Sequence, residues 1–190
     1  MAFNQLKKSY GNIVRKGFFL RSLNRSLFNT STESCILFAL IGDISEAKLI
    51  INKIVNLQKK LSVPITVSVN RNTSSFKHIQ KIVVTSGLRV YDPVNCGLPI
   101  VCFFRSSSVA IEYMRRGVYL VYLDLNEPIS NNTFDLDSSF NVENLDVNDL
   151  SYYTLSKHLK KREAANWSKI ASYFLDESFS AQDLKQLIIT

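Results

Sequence analysis

Between Cys35 and Phe104 the sequence alternates short, almost wholly apolar runs with longer segments of helical pattern. Strands that consist of continuous apolar residues are typical of a parallel sheet, because helical crossovers cover both of its faces. The apolar runs predict strands at residues 35–41, 65–69, 82–85, 98–104 and 118–123. The sequence therefore predicts an α/β fold, with a Rossmann-like, mostly parallel five-stranded sheet flanked by helices.

The segments between these runs predict the crossovers. Residues 45–61 place apolar side chains at helical spacing, and Asp43 with Glu46 three residues later fits a capping box. A short helix is expected to carry Arg89, and a helical turn over residues 111–116 is expected to stop at Gly117. A C-terminal helical extension is expected to follow the sheet.

Charge is distributed unevenly along the 190 residues, which carry a net charge of +7. Residues 1–121 contain 17 basic and 5 acidic residues, whereas residues 122–150 contain 7 acidic and no basic residues. We accordingly divide the chain into four parts. They are a basic N-terminal helix or extension (1–34), an α/β core (35–129), an acidic strap (130–150) and C-terminal helices (151–190).

A basic body of this size suits a polyanion, either a nucleic acid or an anionic membrane surface. The extension has three interpretations: a mitochondrial presequence, a helix on a membrane, or a permanent helix that presents its basic side to RNA. We favour the third, and we expect the arginines that follow or lie between the strands to line one edge of the sheet. The predicted RNA-binding residues are Lys7, Lys8, Arg15, Lys16, Arg21, Arg25, Arg71, Lys77, Arg89 and Arg105.

The sequence contains none of the familiar catalytic, metal or nucleotide motifs. Its turn after the first strand, residues 42–45, has one glycine and no Gly-x-Gly-x-x-Gly pattern. His78 and His158 are far apart along the chain, and the cysteines form no Cys-x-x-Cys pair, so they are expected to be small apolar residues in a reducing compartment. No apolar run approaches the roughly 20 residues that span a bilayer. We therefore predict no catalysis, no metal, no cofactor and no membrane insertion.

Four short blocks resemble, in the same order, the small-subunit ribosomal protein S-two family. They are Ala47-Lys-Leu-Ile-Ile51, the segment from Val69-Asn-Arg71 to Phe76-Lys-His-Ile79, Asn95-Cys-Gly-Leu-Pro-Ile-Val101, and Asn126-Glu-Pro-Ile129. The chain departs from the family after Arg71, where Trp-Leu-Gly-Gly is absent, and at Gln80-Lys81, where a long helical hairpin would stand. These departures are similar to those of organellar members.

The resemblance implies a Rossmann-like sheet that binds small-subunit rRNA and other small-subunit ribosomal proteins, without catalysis or cofactor. The first hypothesis is therefore a structural constituent of the mitochondrial small ribosomal subunit, located in the matrix.

The second hypothesis is the nucleotide-sugar-binding half of a GT-B-type glycosyltransferase. Val83-Val-Thr-Ser-Gly87, followed by Gly97-Leu-Pro-Ile-Val101, resembles the donor-side strand, helix and strand of those enzymes. In that case Arg105 or the turn at Gly87 would hold the diphosphate. Asn70-Arg71 stands where the family has His-Pro, and 190 residues accommodate one of the two domains that such an enzyme needs. A membrane-surface protein led by residues 1–34 is the third hypothesis.

Overall fold

The computed structural model describes residues 34–161, except 72, 94, 106–109, 111, 112, 115, 128–131 and 133–141. All of these residues belong to one compact unit, Leu27–Ala165. The N-terminal extension up to residue 33, the predicted helices beyond residue 161 and most of the acidic strap lie outside the described residues.

The described part of the chain forms a parallel sheet whose strands occur in the order β3-β2-β1-β4-β5-β6. This is the strand order of the Rossmann fold, so the predicted fold class is confirmed. The sheet has six strands, where the sequence predicted five. The elements are β1 (Cys35–Leu40), α1 (Ile44–Gln58), β2 (Ile65–Val69), α2 (Phe76–Thr85), β3 (Arg89–Val90), β4 (Pro99–Phe104), β5 (Tyr119–Asp124), β6 (Glu143–Asp146), a 3-10 turn (Val147–Asp149) and α3 (Tyr152–Lys161).

The predicted third strand is wrong, because residues 82–85 form the last turn of α2. Ile79 and Val83 are fully buried at helical spacing, whereas Val84 is 61% exposed, so the apolar run covers one face of a helix. The third strand is instead Arg89–Val90, where the sequence predicted a short helix. It pairs in parallel with β2, which places it at one edge of the sheet.

The sixth strand lies within the predicted acidic strap and was missed. Its residues Glu143–Asp146 pair with β5 from Val121 to Asp124. Leu145 and the following Val147 are buried, and together they attach this acidic segment to the core. A strand with a single apolar residue among carboxylates and amides resembles a loop, so its sequence does not reveal it.

The side chains of alternate strand residues lie on opposite faces of the sheet, and both sets are buried. The sheet is therefore covered on both faces, as the apolar strands predicted. On one face α1, α2 and α3 cover the strands, and the rings of Phe38 and Phe103 stack at a centroid distance of 4.8 Å. The other face carries Leu37, Phe104 and Tyr122, all of which are buried. Between β4 and β5, Gly117 has φ +75° and donates its backbone N–H to Met114, so the predicted helix stop at Gly117 is confirmed.

Candidate functional site

The strand order reverses between β1 and β4. From β1 the chain steps outward through β2 to β3, and it then crosses back to place β4 on the other side of β1. Crossovers on the two sides of such a point diverge, which leaves a crevice outside the carboxyl ends of the strands. The loops that follow β1, β2, β4 and β5 therefore surround the place where this fold binds ligands.

A cleft of about 530 Å³ opens at this carboxyl edge. It is shallow and largely open to solvent, unlike the enclosed pockets that bury most of a small ligand. The loop after β1, the first turns of α1 and the loop after β2 contribute to it. The lining residues are Gly42, Asp43, Ile44, Ser45, Lys48, Ser74 and Ser75.

Gly42 allows the two loops of the cleft to touch. A Cβ atom at this position would lie 2.5 Å from the Thr73 side chain, a distance shorter than Cβ atoms keep from other heavy atoms in proteins. The Ser75 hydroxyl also donates a hydrogen bond to the Gly42 carbonyl oxygen. A side chain at residue 42 would therefore separate the loops and widen the cleft.

The residues that line the cleft carry one positive and one negative charge, and further cations lie nearby. Lys48 lines it and is exposed, and the exposed Arg71 and Lys77 flank Ser74 and Ser75 along the chain. The carboxylate among its lining residues, Asp43, caps α1 by accepting the backbone N–H of Glu46 at 2.8 Å. This hydrogen bond and a second one from the Ser45 hydroxyl lower the pKa of Asp43. Asp43 therefore stays ionised, and its negative charge lies in the same cleft as the Lys48 ammonium group.

The N-terminus of α2 adds a second attraction for an anion. The N-cap residue Ser75 makes no side-chain hydrogen bond to the helix, because its hydroxyl contacts Gly42. The first turn contains no acidic residue and does contain Lys77. The Phe76 N–H already donates to the Thr73 carbonyl oxygen at 3.2 Å, so the attraction for an anion comes from the positive end of the helix dipole.

Arg105 follows β4 at the switch point and is 3% exposed. Its Nε and Nη2 atoms lie 2.8 and 3.3 Å from the Glu46 carboxylate, and Nη2 also lies 3.0 Å from Glu127. Nη1 donates to the Tyr122 hydroxyl at 2.5 Å and to the Leu123 carbonyl oxygen at 2.8 Å. All N–H groups of a guanidinium are thereby occupied.

This network corrects the prediction that Arg105 contacts RNA, because its charge is neutralised inside the protein. Burial works to lower the pKa of Arg105, but the hydrogen bond and charge of Glu46, followed by Glu127, outweigh it and raise the pKa. Glu46 was expected to complete the capping box, yet its carboxylate turns to Arg105 instead. The network thus ties the first turn of α1 to the ends of β4 and β5.

The predicted RNA-binding residues do not share one edge. Arg71 follows β2 at the carboxyl edge, but Arg89 pairs with Thr66 near the amino end of β2. Lys77 lies exposed in the first turn of α2. The predicted residues from the N-terminal extension lie outside the described residues: Lys7, Lys8, Arg15, Lys16, Arg21 and Arg25.

A second polar cluster joins α3 to the sheet. The buried His158 places its Nδ1 atom 3.1 Å from the Tyr119 hydroxyl and 3.6 Å from the Glu143 carboxylate. Burial lowers the pKa of His158, and the nearby charge of Lys157 lowers it further. The imidazole is therefore a neutral packing and hydrogen-bonding group near pH 7.

We expect the stability of the fold to decrease as the pH falls below about 6.5, the ordinary pKa of histidine. Because the folded-state pKa of His158 is depressed, the unfolded chain takes up a proton first, so this contribution is complete above that pH and is lost below it. Urea unfolding at neutral and at mildly acidic pH measures the loss. The His158→Phe variant serves as the control and should lose less stability over the same pH interval. An equal loss in both proteins would contradict the assignment.

Within residues 34–161, as far as they are described, no group of three or more His, Cys, Asp or Glu side chains is arranged to hold a metal ion. In the same part of the chain no helix has the length and apolar character to cross a bilayer.

No protein-family model and no curated protein sequence matches the chain. Among solved structures it is similar to UDP-GlcNAc 2-epimerase from Neisseria meningitidis bound to UDP-GlcNAc, at 13% identity and a TM-score of 0.43. It is also similar to a UDP-N-acetylglucosamine 2-epimerase assigned in Listeria monocytogenes, at 10% identity and a TM-score of 0.46. These matches cover 91% and 88% of this chain. The chain spans about half the length of these structures, 50% and 54%.

The prediction that the chain is not an enzyme is corrected by this comparison. The matching structures carry the names of UDP-GlcNAc 2-epimerases, which are enzymes. At such identities the likeness describes the fold alone.

Proposed function

We propose that this chain is the nucleotide-sugar-binding domain of an enzyme that acts on sugar nucleotides. The observation that carries the proposal is the open cleft beside Lys48, which the loops after β1 and β2 form at the carboxyl edge of the sheet. A nucleoside diphosphate sugar carries two adjacent phosphates, and this is the ligand chemistry that a cleft with a lysine, hydroxyl groups and an uncapped helix N-terminus accommodates.

Each part of the cleft has a role in this proposal. The Lys48 ammonium group pairs with a phosphate oxygen, and the Ser74 hydroxyl donates a hydrogen bond. The positive end of the α2 dipole attracts a second oxygen, since no side-chain hydrogen bond caps this helix. The Arg105 network holds the first turn of α1 in place, so the lysine one turn further on is positioned before the ligand arrives.

The proposal predicts a specific loss of ligand affinity when Lys48 is replaced. Lys48→Gln should weaken UDP-GlcNAc about 10- to 100-fold, because a hydrogen bond to a charged group contributes about 1.5–3 kcal/mol. Lys59→Gln removes the same charge from the far end of the same helix and is the matched control. Calorimetric titration of the full chain with UDP-GlcNAc, UDP and inorganic pyrophosphate measures both variants.

The three probes separate the parts of the proposal. Tighter binding of UDP-GlcNAc than of pyrophosphate supports a site that recognises the nucleotide and the sugar as well as the phosphates. Binding of pyrophosphate alone would contradict the nucleotide-sugar proposal. An equal loss of affinity for UDP-GlcNAc in Lys48→Gln and in Lys59→Gln would contradict the location of the site.

The hypothesis of a ribosomal protein remains a prediction with a different test. It requires the exposed Arg71, Lys77 and Arg89 to contact rRNA phosphates. Co-sedimentation of the chain with small ribosomal subunits, weakened by rising salt, would support it. Calorimetric binding of UDP-GlcNAc without co-sedimentation would favour the sugar-nucleotide proposal.

A further inference from the structure

The half of the sheet that contains β1, β2 and β3 carries an unusually one-sided charge. Residues 35–91 contain eight basic residues and two acidic ones. Glu46 is buried and paired with Arg105, whereas Asp43 is exposed at the start of α1. The basic residues are Lys48, Lys53, Lys59, Lys60, Arg71, Lys77, Lys81 and Arg89.

Helices α1 and α2 present many of these cations on one side of the molecule. Both helices belong to the same core layer and contact each other. Right-handed crossovers that step in one direction from β1 to β3 place both on one face of the sheet. Exposed cationic and aliphatic residues outside the cleft, with Lys59 just after α1, define what we call the α1–α2 face: Leu49, Lys59, Lys77, Lys81 and Val84.

Exposed aliphatic residues accompany the lysines on this face. Leu49 is 45% exposed and follows Lys48, and Val84 is 61% exposed and lies one turn after Lys81. Large apolar side chains of this kind are usually turned inward on a helix that packs against a sheet. Although both helices bury their apolar faces in the core, these two aliphatic side chains beside cations offer an anionic lipid surface both an apolar and a charged contact.

We propose that the α1–α2 face docks on the surface of an anionic membrane. The lysines pair with lipid phosphate and carboxylate groups, and Leu49 and Val84 enter the boundary between headgroups and acyl chains. Nucleic acid fits this face less well, because Phe76 is the single Phe, Tyr or Trp residue in the two helices and it is half-buried. RNA-binding surfaces commonly stack bases on exposed aromatic rings.

Vesicle co-sedimentation tests the proposal with the full chain. Phosphatidylcholine vesicles with and without phosphatidylserine are compared, and binding should require the anionic lipid. Each basic residue near such a surface contributes about fivefold to partitioning, so the Lys77→Gln, Lys81→Gln double variant should bind about 25-fold more weakly. The Lys77→Arg, Lys81→Arg variant keeps the charge and should bind like the wild type.

Arg116→Gln is the control for charge loss elsewhere, in the crossover between β4 and β5. This crossover steps across the sheet in the opposite direction, which places it on the opposite face. The partitioning of Arg116→Gln onto the vesicles should stay within about twofold of the wild type, because this charge is remote from the lipid. Residues 1–33 are the same in every variant, so their basic residues do not affect the comparison.

Val84→Ser supplies a readout that a purely electrostatic contact would not change. It should weaken binding even at high salt, where the contribution of the lysines is screened. Equal binding to vesicles with and without phosphatidylserine would overturn the proposal. So would equal losses in the lysine double variant and in Arg116→Gln, or binding to a single-stranded RNA but not to vesicles.

Discussion

Replacing Arg105 with alanine should lower the free energy of unfolding by about 3–5 kcal/mol. The substitution leaves the Glu46 carboxylate buried without its cation, since Nε and Nη2 of Arg105 are its partners at 2.8 and 3.3 Å. It also removes the donors to the Tyr122 hydroxyl and the Leu123 carbonyl oxygen. An unpaired charge in the interior costs more than the pair contributes, so the effect is large even though the ion pair itself adds little net stability.

Urea unfolding of two further variants isolates the cause. Glu127→Gln alters the more exposed partner of Arg105 and should cost about 1 kcal/mol or less. The double variant Arg105→Met, Glu46→Met removes both buried charges and should be more stable than Arg105→Ala alone. If Arg105→Ala and Glu127→Gln unfold at the same urea concentration, the buried pair does not have the role assigned to it.

Replacing Phe103 with alanine should have a comparable effect, a loss of about 3–5 kcal/mol. The Phe103 side chain, on the fifth of the six residues of β4, is fully buried and stacks on Phe38 of β1 at 4.8 Å. It also meets the His158 ring of α3 edge to face at 5.8 Å. The substitution therefore opens a cavity at the junction between β1, β4 and α3.

Hydrogen exchange distinguishes a general loss of stability from a local one at α3. Because His158 packs on the Phe103 ring, the amides of α3 should lose more protection in Phe103→Ala than the amides of α1. Val84→Ala changes an exposed apolar residue and should alter stability by less than about 0.5 kcal/mol. Uniform loss of protection across the fold would contradict a specific link between Phe103 and α3.

The candidate site depends on contacts that the sequence pattern did not reveal. The turn at residues 42–45 lacked a phosphate-binding motif, and Lys48 was not among the predicted binding residues. In the folded chain Gly42 meets Thr73 and Ser75, which brings the loops after β1 and β2 together. Residues separated by about thirty positions thus form one cleft, and no local pattern encodes that proximity.

Arg105 illustrates the opposite error. Its position after an apolar strand suggested an exposed phosphate contact, as it did for Arg71. The structure places Arg71 at the surface, but it places Arg105 among Glu46, Tyr122 and Glu127, which come from three different segments. The difference between a surface cation and a buried one depended on partners distant in sequence.

The sequence by itself determined the class of the fold, because continuous apolar strands separated by amphipathic helices have few stable arrangements other than a covered parallel sheet. It also located β1, α1, β2, β4 and β5 closely, since each shows a clear periodicity. Only the tertiary structure decided whether the apolar run before Gly87 was helix or strand, and only pairing with β5 revealed β6. Short segments satisfy either periodicity, so their conformation is chosen by the neighbours against which they pack.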